Sequence, residues 1–106
     1  MGQHKTAYIL LADGFEIIEA LAPIDVMHRA GIDVIKVAAG GSHDVCSSHA
    51  LATLHCDILL DEMSFDEGDV LILPGGNPGY INLRNTKRVC DMVRAFYASG
   101  RLVAAI

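Results

Sequence analysis

Asp69–Val70–Leu71–Ile72–Leu73–Pro74–Gly75–Gly76–Asn77 is the stretch whose reading decides the fold. Four apolar residues without polar alternation suit a strand buried on both faces, as in a parallel sheet. Pro74 ends it, because proline has no N–H for a sheet ladder. Gly75 and Gly76 lack a Cβ, so the backbone there can turn sharply and come close to a ligand. Bare backbone N–H groups are thus delivered to the carboxyl end of a central strand, where open α/β sheets bind ligands. The plain alternative is a strand followed by an ordinary turn, and this stretch alone does not separate the two.

The flanks supply the rest of the sheet. Ala7–Ala12 reads as a buried first strand, broken by Asp13–Gly14. Glu16 to Ala30 reads as a helix, with Ile17, Leu21, Ile24 and His28 on one side. Gly31 is a good residue to follow its C-cap. Asp33–Ala38 is the second strand, and β-α-β with short connections implies a parallel pair. Gly40–Gly41–Ser42–His43 marks a turn, and Val45 to Leu60 reads as short strands or a hairpin. Met63 to Glu67 is a short helix or a turn. Asn77–Pro78–Gly79 reads as an ordinary turn. Asn85 or Thr86 caps a helix through Ser99, with Val89, Val93, Phe96 and Tyr97 as its apolar face and Gly100 at its end. Leu102–Ile106 is another buried strand. The pattern predicts a single α/β domain over 1–106. It closes inside an apolar strand with no helix following to cover the sheet, so the remainder of the domain is expected beyond Ile106.

Composition narrows the class. The chain has 106 residues, 52% hydrophobic and 20% charged, which suits a globular domain with its own core. A net charge of −5 argues against nucleic-acid binding. No apolar run is long enough to span a bilayer, and Met1–Thr6 lacks the apolar core of a secretory signal. A cytoplasmic protein with reduced Cys46, Cys56 and Cys90 is expected. His43, Cys46 and His49 are metal-ligand residue types, but their three-and-three spacing matches no zinc finger or ribbon, so no metal is expected. No P-loop or dinucleotide fingerprint is present, and no cofactor is expected.

Pro23 falls about two turns into the first helix, where it removes the hydrogen bond to the Glu19 carbonyl. A kink there, or a new helix starting near Pro23, is expected. A lone Glu on a helix is usually solvated. Glu19, however, has Ile18 and Val26 to either side on the wheel. It also follows the first strand onto the same rim as Gly75. Glu19 is therefore expected to point into a cleft at that rim.

Four ordered motifs carry a resemblance. They are Ile9–Glu19, Pro23–Gly31, Leu73–Asn77 and Leu102–Ile106. Together they closely resemble the ThiJ/PfpI superfamily, in its deglycase branch, across the whole sequence. The resemblance implies a flavodoxin-like three-layer sandwich with a mainly parallel central sheet, class I glutamine-amidotransferase-like, usually a homodimer. It implies a cysteine nucleophile on a strained turn just after Ile106, with a histidine partner further on. Glu19 matches the acid beside that cysteine, and Gly75 and Gly76 match the backbone donors facing it. Glu16 and Asn77 flank these positions as substrate-binding candidates. Arg29 matches an arginine that reaches towards the partner subunit's site. His49 stands where the branch carries a second arginine, a departure that puts a two-arginine anion pocket in question. Cys46 stands where the branch has a cysteine near the dimer contact.

The function so implied is a glutathione-independent glyoxalase or protein deglycase, acting on methylglyoxal-type aldehydes or glycated protein, with Glu19 as general acid/base. The alternative is a cysteine-based oxidative-stress sensor or chaperone without turnover. A PfpI-type peptidase or amidase ranks last. A companion C-terminal fragment is expected if the polypeptide is cleaved after Ile106.

Overall fold

The structure, a computed structural model, describes residues 4–106. The main sheet has five parallel strands: β1 (Thr6–Leu11), β2 (Asp33–Ala38), β5 (Ile58–Leu59), β6 (Val70–Leu73) and β7 (Leu102–Ala105). Their order is β5-β2-β1-β6-β7. A two-stranded antiparallel hairpin, β3 (Asp44–Cys46) with β4 (Thr53–His55), stands beside it. The helices are α1 (Ile17–Arg29), α2 (Gly79–Arg84) and α3 (Lys87–Ala98), with a single 3-10 turn at Leu60–Glu62 and a tight turn at Ser48–Ala50 in which His49 and Ala50 have positive φ.

β1 is central, and its alternate side chains enter two cores. Ala7, Ile9 and Leu11 pack with Ala20, and with Ile17, Ile24 and Met27 of α1. Tyr8, Leu10 and Ala12 pack with Leu83 of α2 and with Val89, Met92 and Phe96 of α3. The result is the expected three-layer α/β sandwich. Leu71 and Ile72 of β6 are buried in opposite cores, as an unalternated apolar run requires.

Several expectations change in detail. The α1 face that packs is Ile17, Ala20, Ile24 and Met27; Leu21 and His28 are exposed. Small Ala20 lets the helix sit close to the sheet and rotates the buried stripe by one position. The helix passes through Pro23 as one element, with no second helix starting there. Glu16 caps it through Ile18 N–H, and Gly31 follows the C-cap at φ +82°. The hydroxyl of Thr86, at the N-cap of α3, does not cap that helix; it donates to the Asn82 carbonyl instead. Asn77–Pro78–Gly79 is not merely a turn but the entry to α2. Of the two readings for Met63–Glu67 the turn holds, at Phe65–Asp66, and a 3-10 turn at Leu60–Glu62 precedes it. The stretch Leu102–Ile106 is not the buried strand its apolar residues predict: Leu102 in β7 and Ile106 just after it are each 61% exposed. Among the described residues β7 pairs only with β6, and α3 covers only one of its faces.

Two arginines tie the connection between β5 and β6 to α3. Arg88 donates to the carbonyls of Leu60 and Met63 and lies over the Phe65 ring. Arg101 donates to those of Phe65 and Glu67 and lies over Phe96. These bonds satisfy the carbonyls of buried Leu60 and Met63 and half-buried Phe65, which no strand partner reaches, and that of exposed Glu67.

The three cysteines are free thiols, and Cys56 is fully buried. Burial pushes its thiol up to about 11; Lys36 opposes this, and Asp57 and Asp44 add to it. Only as pH rises through that value does the thiolate form, so at pH 8 about one molecule in a thousand carries it. Alkylation of the native protein is expected to label Cys46 and Cys90 first, with Cys56 reacting only on unfolding. Intact mass against time checks this; three additions at one rate would contradict it.

Candidate active site

The strand order reverses direction at β1, with β2 on one side and β6 on the other. A crevice at the carboxyl ends of β1 and β6 is the ligand site such a sheet provides. Asp13–Glu16 leaves β1 there, and Pro74–Asn77 leaves β6 there. Two hydrogen bonds tie the second loop to the first and to α1. Glu16 N–H donates to the Gly75 carbonyl at 2.9 Å. Gly75 N–H donates to Glu19 Oε1 at 2.8 Å. Glu19 is half-buried, one turn into α1, and points into this crevice.

Only glycine fits at 76. Its φ is +106°, and a Cβ there would lie 2.6 Å from the Gly14 carbonyl oxygen and 2.7 Å from the Phe15 carbonyl carbon. Gly75 is constrained from the other side. A Cβ on it would meet Glu19 Oε1 at 2.5 Å and the Ile106 carbonyl oxygen at 3.0 Å. The end of β7 therefore reaches the same crevice, held by Ile106 N–H to the Leu73 carbonyl.

A third segment closes the rim. Ser48 N–H donates to the Phe15 carbonyl, and Ser48 Oγ to the Asn77 carbonyl at 3.2 Å. His49, next in the chain, is exposed and has φ +59°. Asp13 Oδ1 accepts Cys46 N–H at 2.9 Å, and the Asp13 carbonyl accepts Asn82 Nδ2 at 2.8 Å.

The structure thus brings together Glu19, Gly75, Gly76 and Glu16, with Asn77 and the His49 turn at the edge. Arg29 stands apart. It lies ten residues beyond Glu19 on α1, about 15 Å along the axis, exposed and paired with Asp25. The Gly75 N–H, a candidate oxyanion donor in the sequence reading, is taken up by Glu19. Gly76 N–H has no partner among the described residues. Asp13, Ser48 and Asn82 were not singled out from the sequence. Asp13–Gly14 reads there only as a strand breaker, and nothing local places Ser48 beside Asn77.

Among the described residues no three His, Cys, Asp or Glu side chains converge as a metal-binding group. His43 stacks on His55, and His55 Nδ1 pairs with Asp44 at 2.8 Å. No helix among them is long and apolar enough to cross a membrane. An apolar groove of about 410 Å³ adjoins the crevice, lined by Leu73, Pro74, Tyr80, Leu83 and Ile106 among others.

A doubly wound parallel sheet with an acid and a bare glycine loop at its switch point defines an α/β domain with a ligand site at the strand ends. Residues 5–106 match the DJ-1/PfpI family, and the chain belongs to it. It is 37% identical over 102 residues to Protein DJ-1 homolog A of Arabidopsis thaliana, covering 96% of this chain and 26% of that protein. It is 35% identical over 103 residues to Protein/nucleic acid deglycase 2 of Escherichia coli K12, covering 96% and 59%. The crystal structure of Drosophila melanogaster DJ-1beta superposes with a TM-score of 0.92 at 33% identity, covering 97% of this chain and 55% of that one. The chain therefore spans between about a quarter and three fifths of the relatives it matches.

Proposed function

We propose that the protein is a glutathione-independent glyoxalase or deglycase acting on methylglyoxal-type aldehydes. The observation that carries the reading is the meeting of three things in one crevice: Glu19 Oε1 on Gly75 N–H, the glycine backbone, and the end of β7. The family resemblance supplies the nucleophile, a cysteine following Leu102–Ile106. A residue leaving β7 at Ile106 emerges beside Glu19. The deglycase named among the relatives supports the substrate class.

The chemistry follows from these parts. The thiolate adds to the aldehyde carbon, and the carbonyl oxygen gains the proton, giving a hemithioacetal. Glu19 takes the proton from that carbon and returns one to the neighbouring carbon, while the hydroxyl proton of the hemithioacetal passes to the former ketone oxygen. The ketone becomes a hydroxyl and the sulfur-bearing carbon a thioester. Water hydrolyses the thioester to lactate and restores the thiol. Gly76 N–H is the donor we assign to the developing oxyanion, and Gly75 N–H holds the carboxyl in place. Lactate formation from methylglyoxal by the intact protein, without glutathione, tests the reading. Absence of lactate, with the cysteine oxidised readily by peroxide, would instead favour the oxidative-stress sensor.

The exposed Ile18 and Val26 of α1, at 72% and 64%, support a two-fold contact between copies, with Arg29 on the same helix. Sedimentation at micromolar concentration is expected to give a dimer, and Ile18→Glu a monomer. A parent protein that sediments as a monomer would remove the contact and the role given to Arg29.

A further inference from the structure

We propose that Asp13 is a positioning residue that holds the Ser47–Ala50 turn as a third wall of the site, next to Asn77. This rests on the aldehyde-processing reading for its kinetic consequence, and on geometry alone for its structural one.

The turn is in an unusual conformation. His49 and Ala50 are consecutive non-glycine residues with φ of +59° and +54°. L-residues adopt that region reluctantly, and it persists where the surroundings over-determine it, commonly at ligand sites. Here the surroundings do so from both ends. Ser47 is buried and binds Ala52 twice, accepting its N–H on Oγ and donating its own N–H to the Ala52 carbonyl. Ser48 is fixed on Phe15 and Asn77. The preceding residue, Cys46, is fixed on the Asp13–Gly14 turn through Asp13 Oδ1 and through Gly14 N–H to its carbonyl. Asp13 is the one carboxylate in this set, so its bond to Cys46 N–H is the charge-assisted one. Asn82, from α2, fixes the Asp13 backbone in turn.

The wall contains none of the groups assigned to bond-making. It bounds the space beside Asn77 that a substrate enters. Loosening it therefore affects substrate holding more than the chemical step.

Asp13→Ala removes the acceptor for Cys46 N–H, and Asp13→Asn keeps one. In the intact protein Asp13→Ala is expected to raise the KM for methylglyoxal about tenfold with kcat within about twofold, and Asp13→Asn to restore KM. Amide exchange at Cys46 is expected to accelerate at least about tenfold in Asp13→Ala only. The Cα shifts of His49 and Ala50 should lose their left-handed signature in the same variant. Unchanged exchange and shifts in Asp13→Ala, or equal loss in Asp13→Asn, would overturn the proposal. So would a kcat that falls while KM holds. If the parent makes no lactate, the glyoxalase reading fails, and exchange and shifts alone decide whether Asp13 holds the wall.

Discussion

Gly76→Ala is expected to destabilise the protein by about 3–4 kcal/mol. Two costs add. The φ of +106° lies where an L-residue is strained, at about 1–2 kcal/mol. The new Cβ also falls within 2.7 Å of backbone atoms of Gly14 and Phe15, and close to Glu16 N. None of these can move without shifting the start of α1, and with it Glu19. Gly31→Ala is the control. Its φ is +82°, but a Cβ there meets nothing within 4 Å, so only the strain of about 1 kcal/mol applies. Urea midpoints of both variants separate strain from close approach. Equal losses would show that the approach of the 75–76 loop to the Gly14–Glu16 turn is not tight.

Glu19→Gln is expected to cut lactate formation by about 10²–10⁴-fold while leaving the fold intact. A glutamine oxygen can still accept Gly75 N–H, so the loop stays where it is, but the carboxyl that carries the proton is gone. Glu19→Leu loses both. It leaves Gly75 N–H without its acceptor in a half-buried place, at a further cost of about 1–3 kcal/mol in stability. The contrast between the two variants isolates chemistry from scaffolding. If Glu19→Gln turns methylglyoxal over at the parent rate, Glu19 is a positioning acceptor for Gly75 and nothing more.

Much of this could be read from the sequence because the signals were local. Val70–Leu73 stopped by Pro74 fixes a central strand, and Gly75–Gly76 fixes a tight approach at its end. Ala7–Leu11 and Asp33–Ala38 around one helix fix a parallel pair. What could not be read depends on partners distant in the chain. The buried stripe of α1 follows Ala20, whose small size matters only once the sheet lies beneath it. Six residues are too few for a helical period to show, so α2 hides behind the turn signal of Asn77–Pro78–Gly79. The exposure of β7 is set by which neighbours it has, not by its own apolar residues. At the site, Glu19 could be placed on the correct rim from strand order and helix phase. That its carboxylate meets Gly75 N–H, and that Ser48 meets Asn77, follows from how three separate loops dock.

The most direct test of Glu19 as the proton carrier is the reaction of the intact protein with methylglyoxal in D₂O, followed by proton NMR of the lactate methine. A carboxyl that takes a proton from one carbon and returns one to the next exchanges with solvent between the steps. The account predicts deuterium at the methine, and almost no lactate from Glu19→Gln. Lactate that retains its methine hydrogen in full, from parent and variant alike, would mean a direct hydride shift and would contradict it.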